Sequence, residues 1–451
     1  MNTSPDPQQL FRLFERVAPA EFFEDLSEQH GYGLRQGVYG AMVVVWLMIW
    51  QRLQGNQSLA AAVQYLVHSG ARSLRSDCKR WKQDKVSGTT GSYCQARQRL
   101  PKLIVSDVTE RVVQQLRAEM QEGWQGLQRP VFVIDGTTLQ LPHEPELVKA
   151  YSPGRNQHGD NHWPVLQMVV YHDVFSGLAL APSWGPMYGE AAVSEQALAE
   201  QGLERLPQEA VVLGDGNFGI FNFAYAVQQS GRPMILRLTQ ARAGRIVRGA
   251  LVEGMQRSVA WSASAWDHQA HPRLPEQARV EGRLMVCANP SRASELLYLF
   301  TTLDLPAEEI LGIYKLRWNV ETDLRSLKRT VGLQRLSSKS LDMVEKELLL
   351  AIAAYNLVRA VMCLTARRAN LTPRQLSFSF VQMVVEAALP GLDNAANEEE
   401  YQCRLERMLR YAAQGKLPHR SRARSYPRQV WGQGGRFPRR QRTGESGGSA
   451  K

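Results

Sequence analysis

Two short runs of β-branched and apolar residues, VFVID at 131–135 and AVVLGD at 210–215, each end on an aspartate that precedes a glycine. A run of this kind reads as a strand buried on both faces, bounded by turn residues. Open α/β sheets collect their chemistry at the carboxyl ends of such strands, which makes Asp135 and Asp215 candidate site residues of an α/β fold. Carboxylates there suit a divalent metal, which takes several oxygen ligands. Phosphoryl transfer gains from a pair of metals about 4 Å apart, one activating the attacking oxygen and one stabilising the leaving oxygen. An aspartate after a strand also caps turns and helices, so neither residue carries the assignment alone.

The surrounding pattern predicts more of the same architecture. PVLQMVVYHDV (164–174) and GLALAPSW (177–184) read as strands joined by a tight turn at 175–177, and PMILRL (233–238) as another. Glu190 to Leu206 reads as an amphipathic helix ending before Pro207, and Phe218 to Gln229 as a second helix. Residues 239–295 lose this rhythm, carry Trp261 and Trp266, and contain alternating stretches such as RLMVCA (283–288), so they read as a β-rich insertion. ELLYLFTTL (295–303) returns to strand, a long helix follows from Pro306, and another spans Leu341 to Ala366. The first 125 residues read as helical, with helices at Pro7–Val17, Gly37–Leu53, Leu59–His68 and Ser92–Leu100. Among them lies a basic stretch, Arg72, Arg75, Lys79, Arg80, Lys82 and Lys85, followed by Arg97 and Arg99. That stretch is either a DNA-binding surface or a solvated helical face. The implied order is a helical domain (1–125), the candidate for DNA binding, a core in two parts (126–238 and 296–370) around the insertion (239–295), a C-terminal helical region (371–415) and a tail (416–451).

The segment YKLRWNVETDLRSLK, 314–328, adds a third acid. On a helix advancing about 100° per residue, Tyr314, Arg317, Glu321 and Lys328 fall within about 60° of one another, and Arg325 extends the stripe. Leu316, Val320, Leu324, Leu327 and Val331 form an apolar stripe at roughly 200–280° from Tyr314. The polar stripe thus runs beside a face that packs on the sheet, where Glu321 can meet the two aspartates. An ordinary surface helix with a Glu321–Arg325 pair is the plainer alternative.

The spacing Tyr314, Arg317, Glu321, Lys328 resembles the YREK signature of transposases of the insertion-sequence-four family. IDGTTLQLP (134–142) resembles that family's first aspartate segment and GDGNFGIF (214–221) its second, with further likeness at QARQRLP (95–101) and SYPR (425–428). The resemblance implies a ribonuclease H-like catalytic core with a β-rich insertion, preceded by an all-helical domain and followed by a helical region and a basic tail. It implies that Asp135, Asp215 and Glu321 hold two Mg²⁺ or Mn²⁺ ions, and that Tyr314, Arg317 and Lys328 contact phosphates. In some relatives a tryptophan of the insertion stacks on a flipped base; Trp261 and Trp266 are the candidates, and either is also suited to packing within the insertion. The implied partners are double-stranded DNA, as terminal inverted repeats and target, and a second copy of the chain in a synaptic homodimer. The implied reaction is hydrolysis at the element's end, attack of the freed 3′-OH on the other strand in a hairpin route, and joining to target DNA.

Charge agrees with such a partner. Lys and Arg number 54 against 43 Asp and Glu, a net +11, as suits a polyanion. Nine basic residues and no acid lie between Lys416 and Arg442, reading as a disordered basic arm that is either ordered on DNA or serves solubility or host-factor binding. Five cysteines without CxxC spacing speak against a disulfide framework or zinc site and fit a reducing cytoplasm, and the resemblance implies association with the bacterial nucleoid. No secretory leader is expected, and the apolar run Val38–Trp50 is too short to span a bilayer. The absence of a phosphate-cradling loop predicts no nucleotide cofactor. His143, His158, His162 and Asp160 match no standard zinc pattern and read as a polar loop, with Asp173 a reserve metal ligand. A nuclease of the same fold and a catalytically inactive DNA-binding derivative remain alternatives, the latter disfavoured by the full set of acids.

Overall fold

A computed structural model describes residues 14–418 except 16, 33–36, 71–73, 76–77, 121–128, 157–158 and 290–291. Most of the expected Pro7–Val17 helix lies outside the described residues, as do Arg72, His158 and the basic tail beyond 418.

Both runs that end on aspartates are strands. β1 (Val131–Gln140), β2 (Pro153–Asn156), β3 (Gly159–Asp173), β4 (Ser183–Pro186), β5 (Val211–Gly214), β6 (Met234–Leu238), β7 (Gln256–Ser262), β8 (Arg279–Asn289) and β9 (Arg292–Thr301) form one sheet. Its order is β2-β3-β1-β5-β6-β9-β8-β7, with β4 also on β3. β1, β3 and β4 are antiparallel neighbours, whereas β5 and β6 run parallel to β1. Helices Glu195–Gly202 and Phe221–Gln229 make the crossovers to β5 and β6. This mixed α/β sheet is the ribonuclease H-like core.

The 239–295 segment does not stand apart from the sheet. β9, which runs on into the second core part, pairs antiparallel with β6, and the segment's β8 and β7 extend the sheet from β9. The helices Gln240–Val247 and Ala265–Ala270 flank β7.

Several bounds differ from expectation for physical reasons. β1 continues past Asp135 to Gln140, because β3 supplies antiparallel partners as far as Gln140↔Val165. GLALAPSW gives only a bridge at Ala179 before β4, after a turn in which Gly177 takes φ +77°. The helix expected from Glu190 begins at Glu195, where Ser194 caps it by accepting the Ala197 N–H at 3.1 Å. The long helix from Pro306 is present but interrupted: Ala307–Lys315, a tight turn at Leu316–Trp318, Asn319–Arg325, and a wide turn at Ser326–Thr330.

The Leu341–Arg368 helix organises the rest. It is long and apolar enough to cross a membrane, yet its apolar window is wholly buried in protein. Its charges are partnered: Glu347 meets Arg52 and Arg97, both at 2.9 Å, and Glu345 meets Lys102 at 2.5 Å. The helices Ala41–Leu53 and Lys102–Met120 pack against it, as does Phe378–Asp393. Ala41–Leu53 is buried on nearly every face because its sequence, AMVVVWLMIWQRL, offers no polar side before its last turn.

Candidate active site

The parallel register pairs Val131 with Val211 and Val133 with Leu213, so Asp135 and Asp215 lie level, two residues beyond the last pair. Neighbouring residues of paired strands project to the same face, and the two carboxylates therefore share one side of the sheet. Gly136 N–H donates to Asp135 Oδ1 at 2.9 Å, and Asn217 N–H donates to Asp215 Oδ1 at 2.9 Å. Both aspartates are partly buried. Burial pushes the Asp135 carboxyl up to about 6, against the Gly136 hydrogen bond, with Asp215 and Glu195 adding repulsion and Arg317 opposing it.

Glu195 is a residue that the sequence did not mark. It opens its helix, where an acid ordinarily does no more than complement the helix dipole. Here its carboxylate accepts from Asn217 Nδ2 and faces the Gly136 N–H. Gln196 Nε2 in turn holds Asn217 Oδ1 at 2.9 Å. A Cβ on Gly136 would lie 1.7 Å from Glu195 Oε1, so glycine is what lets this acid approach β1. Burial and Asp215 raise the Glu195 carboxyl as well.

The turn after Asp215 is fixed from the other side. Arg242 Nη1 donates to the Gly216 and Gly219 carbonyls at 3.0 and 3.1 Å. Gly219 packs so tightly that a Cβ would fall 1.9 Å from the Arg237 carbonyl oxygen. Arg242 thus supports Asp215, a role that sequence spacing gave no sign of.

The segment 314–330 lies across β1. Lys328 Nζ donates to Thr137 Oγ1 at 2.9 Å and to the Thr138 carbonyl at 3.1 Å. Arg317 pairs with Glu321 at 3.5 Å. Tyr314 is buried, its hydroxyl raised by that burial, with Arg317, Arg237 and Asp215 around it. Val320, Leu324, Leu327 and Val331 form the buried stripe, and Leu316 is half-buried. Glu321 faces Arg317, and among the described residues no three acid, His or Cys side chains stand close enough to hold a metal ion as placed.

Asp323, two residues on, is fully buried and accepts from Arg374 Nη1 at 2.6 Å and from Arg359 Nη2. Burial opposes its ionised form, but Arg374 and Arg359 outweigh that and hold its carboxyl below the usual range. His172, 4.0 Å away, is kept neutral by burial, its imidazole lowered to about 4. Arg374 also donates to the Val174 and Asp173 carbonyls at 2.8 and 3.0 Å. This ionic knot ties the 314–330 segment to β3 and to the long helix.

The remaining sequence candidates are scattered. Arg97 is buried against Glu347 and lies over the Tyr93 ring, while Arg99 and Arg325 are exposed. Trp261 packs edge-on to Phe221 and Phe300, and Trp266 is 67% exposed. The Asp173 carboxylate accepts from the Ser176 N–H and hydroxyl at 2.6 Å, as a turn cap. It pairs across from Phe132, away from Asp135. His143 and His162 stack at 4.2 Å. Arg75, Lys79, Arg80, Lys82 and Lys85 are all exposed.

Asp135 on β1 and Asp215 just past β5 thus lie level at the centre of a mixed sheet, and Glu321 lies on the segment that crosses β1 but faces Arg317. Residues 126–357 match the family model described as transposase DDE domain. The transposase InsG for insertion sequence element IS4 of Escherichia coli (strain K12) is 30% identical over 359 residues, covering 74% of this chain and 75% of its own. The chain belongs to the DDE transposases of the insertion-sequence-four family. Among solved structures, a piggyBac transposase synaptic complex with hairpin DNA aligns over 91% of this chain and 86% of its own, at 10% identity and a TM-score of 0.43.

Proposed function

We propose that this transposase binds the terminal inverted repeats of its own element, cleaves the DNA at their boundary and joins the freed 3′-OH ends to target DNA. The observation that carries this reading is the level placement of Asp135 and Asp215 beneath a segment whose Lys328 is hydrogen-bonded to β1. Asp135, Asp215 and Glu321 are the residues that would hold Mg²⁺ or Mn²⁺, as two ions. The fit rests on their oxygen donors and on the crowding of Asp135 and Asp215, which have no cationic side chain paired to them among the described residues. When bound, the metal supplies activation of the attacking oxygen and neutralisation of charge at the leaving oxygen.

The chain's own cations then have defined tasks. Lys328, anchored on Thr137 and Thr138, presents a charge beside β1 for a phosphate. Arg317 has Glu321 as its partner at 3.5 Å, and exchanging it for a DNA phosphate frees the third acid. Tyr314 is buried near Arg317 and Arg237, and it is the third residue assigned to the phosphate. Water opens the phosphodiester, and the resulting 3′-OH attacks target DNA; no covalent protein–DNA bond is needed. The first 125 residues, with Arg75, Lys79, Arg80, Lys82 and Lys85 exposed, are assigned to end recognition. Exposed Trp266 is the better placed of the two insertion tryptophans for stacking on a base. The working species is a homodimer on paired ends.

The test is incubation of purified protein with a duplex carrying the element's terminal repeat and Mg²⁺ or Mn²⁺, read on a denaturing gel beside Asp135→Ala. Cuts at the repeat boundary that vanish in the variant and without metal are expected, and a hairpin band would fix the route. Specific binding with no cut, where a related active enzyme cuts, would assign the chain to the inactive DNA-binding class.

A further inference from the structure

We propose that the cavity between the N-terminal helices and the Leu341–Arg368 helix is an anion site that takes a phosphate group, held by Arg52 and Arg97. The cavity has a volume of about 500 Å³. Its walls come from the end of Ala41–Leu53, the turn at 56–59, the helix Gly91–Arg99, the loop 337–340 and the first turns of Leu341–Arg368. Pockets for small molecules have this size, and a single water needs far less. Charge decides what the cavity suits. Arg52 and Arg97 are buried in its wall, and both bind one carboxylate, that of Glu347, at 2.9 Å. Glu347 is the one acid among the described residues that line the cavity, so two buried guanidinium groups share a single negative charge. A buried cation in excess of its counter-charges is unfavourable until an anion joins it. Burial lowers the Arg52 guanidinium against the pull of Glu347, and the Arg97 charge lowers it further. Arg97 also keeps an unspent donor, because its buried Nε has no hydrogen-bond partner. Ser338 Oγ donates to Glu347 Oε1 at 2.6 Å, so the carboxylate is already engaged from the loop side. Lys339, in the same lining, adds an exposed cation that pairs with Glu144 at 3.0 Å. Guanidinium groups suit the several acceptor oxygens of a phosphate. These donors serve inorganic phosphate and a DNA backbone phosphate alike, and the experiment separates the two.

Cys94 lines the same cavity as a free thiol and reports on its occupancy. The full chain is alkylated with iodoacetamide at one pH, in sodium phosphate or in sodium chloride of equal ionic strength, and peptide mass spectrometry reads the rate at each thiol. Exposed Cys403 is the internal control. A ligand at ten times its dissociation constant leaves about a tenth of its sites empty, so phosphate is expected to slow Cys94 about tenfold and to leave Cys403 unchanged. A second arm replaces phosphate with a terminal-repeat duplex in phosphate-free buffer. Slowing by inorganic phosphate alone assigns the site to a free phosphate, and slowing by the duplex assigns it to the DNA backbone. Arg97→Gln leaves Glu347 with Arg52, one charge to one, and is expected to fold and to lose the protection in either arm. Equal Cys94 rates in phosphate, duplex and chloride overturn the proposal, as does protection that persists undiminished in folded Arg97→Gln. Should that variant fail to fold, the parent decides alone, because protection beyond that given by chloride supports the site and its absence removes it. Cleavage does not enter the readout, so the result stands apart from the catalytic reading.

Discussion

With its carboxyl pushed up from 3.8 to about 6 by burial, Asp215 and Glu195, Asp135 binds a proton in the folded chain that the unfolded chain has already shed. Between about pH 4 and 6 the folded state therefore holds more protons, so metal-free stability falls as pH rises through that window and stays lower above it. The penalty above pH 6 is on the order of 3 kcal/mol. Asp135→Asn is expected to remove that slope and to melt higher than the parent above pH 6 in chelator; equal melting temperatures at pH 7.5 would contradict it. Glu321→Gln is expected to abolish cleavage of a terminal-repeat duplex while band shifts show the end still bound, because the change removes the proposed third metal ligand and little DNA contact. At this scale the sequence exposed what local pattern can expose. An aspartate after a β-branched run marks itself, and so does a glutamate in register with Tyr314, Arg317 and Lys328. Glu195 stayed hidden because an acid in a first helical turn is commonplace, and its closeness to Asp135 arises only when β1 and the 195–202 helix pack together.

The signature segment shows how far an element can be read from periodicity. Its apolar stripe at Val320, Leu324, Leu327 and Val331 is buried as the 100° wheel requires. The wheel assumes uniform winding, however, and the segment tightens at Leu316–Trp318 and widens at Ser326–Thr330. Such turns depend on what the segment packs against, so the wheel places its residues on a face without giving their contacts. It also passed over Asp323, at roughly 180° and next to the apolar stripe. Its partners Arg359 and Arg374 lie 36 and 51 residues further along, beyond the reach of any local pattern. The knot they form fixes the backbone two residues from Glu321. Asp323→Ala leaves the Arg359 guanidinium buried without its carboxylate partner, and a loss of about 3–5 kcal/mol in denaturant unfolding is expected. Since the Asp323 carboxyl is held below its ordinary range, its contribution is present above pH 4 and is lost as pH falls through the lowered value, the opposite sign to Asp135. A substitution at Asp323 that left unfolding unchanged would remove the knot as the anchor of this helix.

At the scale of the molecule, long-range charge pairing ties the N-terminal helices to the central helix. Glu347 on the central helix takes both Arg52 and Arg97 from the N-terminal helices, and Glu345 takes Lys102. Arg97, which reads from sequence as a DNA contact, is occupied in joining those helices to the core. Among the described residues of the N-terminal region, Arg75, Lys79, Arg80, Lys82, Lys85 and Arg99 are exposed. The tail adds eight arginines beyond Pro418, from Arg420 to Arg442. A truncation to test it must spare Leu417, whose N–H donates to the Gln375 carbonyl at 2.7 Å, and Lys416, which bridges to Leu376. A chain ending at Pro418 keeps both contacts, so its folding should match that of the full protein. Each tail arginine that meets a phosphate releases counterions, and its loss lowers the slope of log affinity against log salt by about 0.9. The truncated protein is therefore expected to bind duplex more weakly at low salt, and the two proteins to converge as salt rises. Parallel salt plots for the two would place the phosphate contacts on the folded surface alone, with the exposed N-terminal cations as their source.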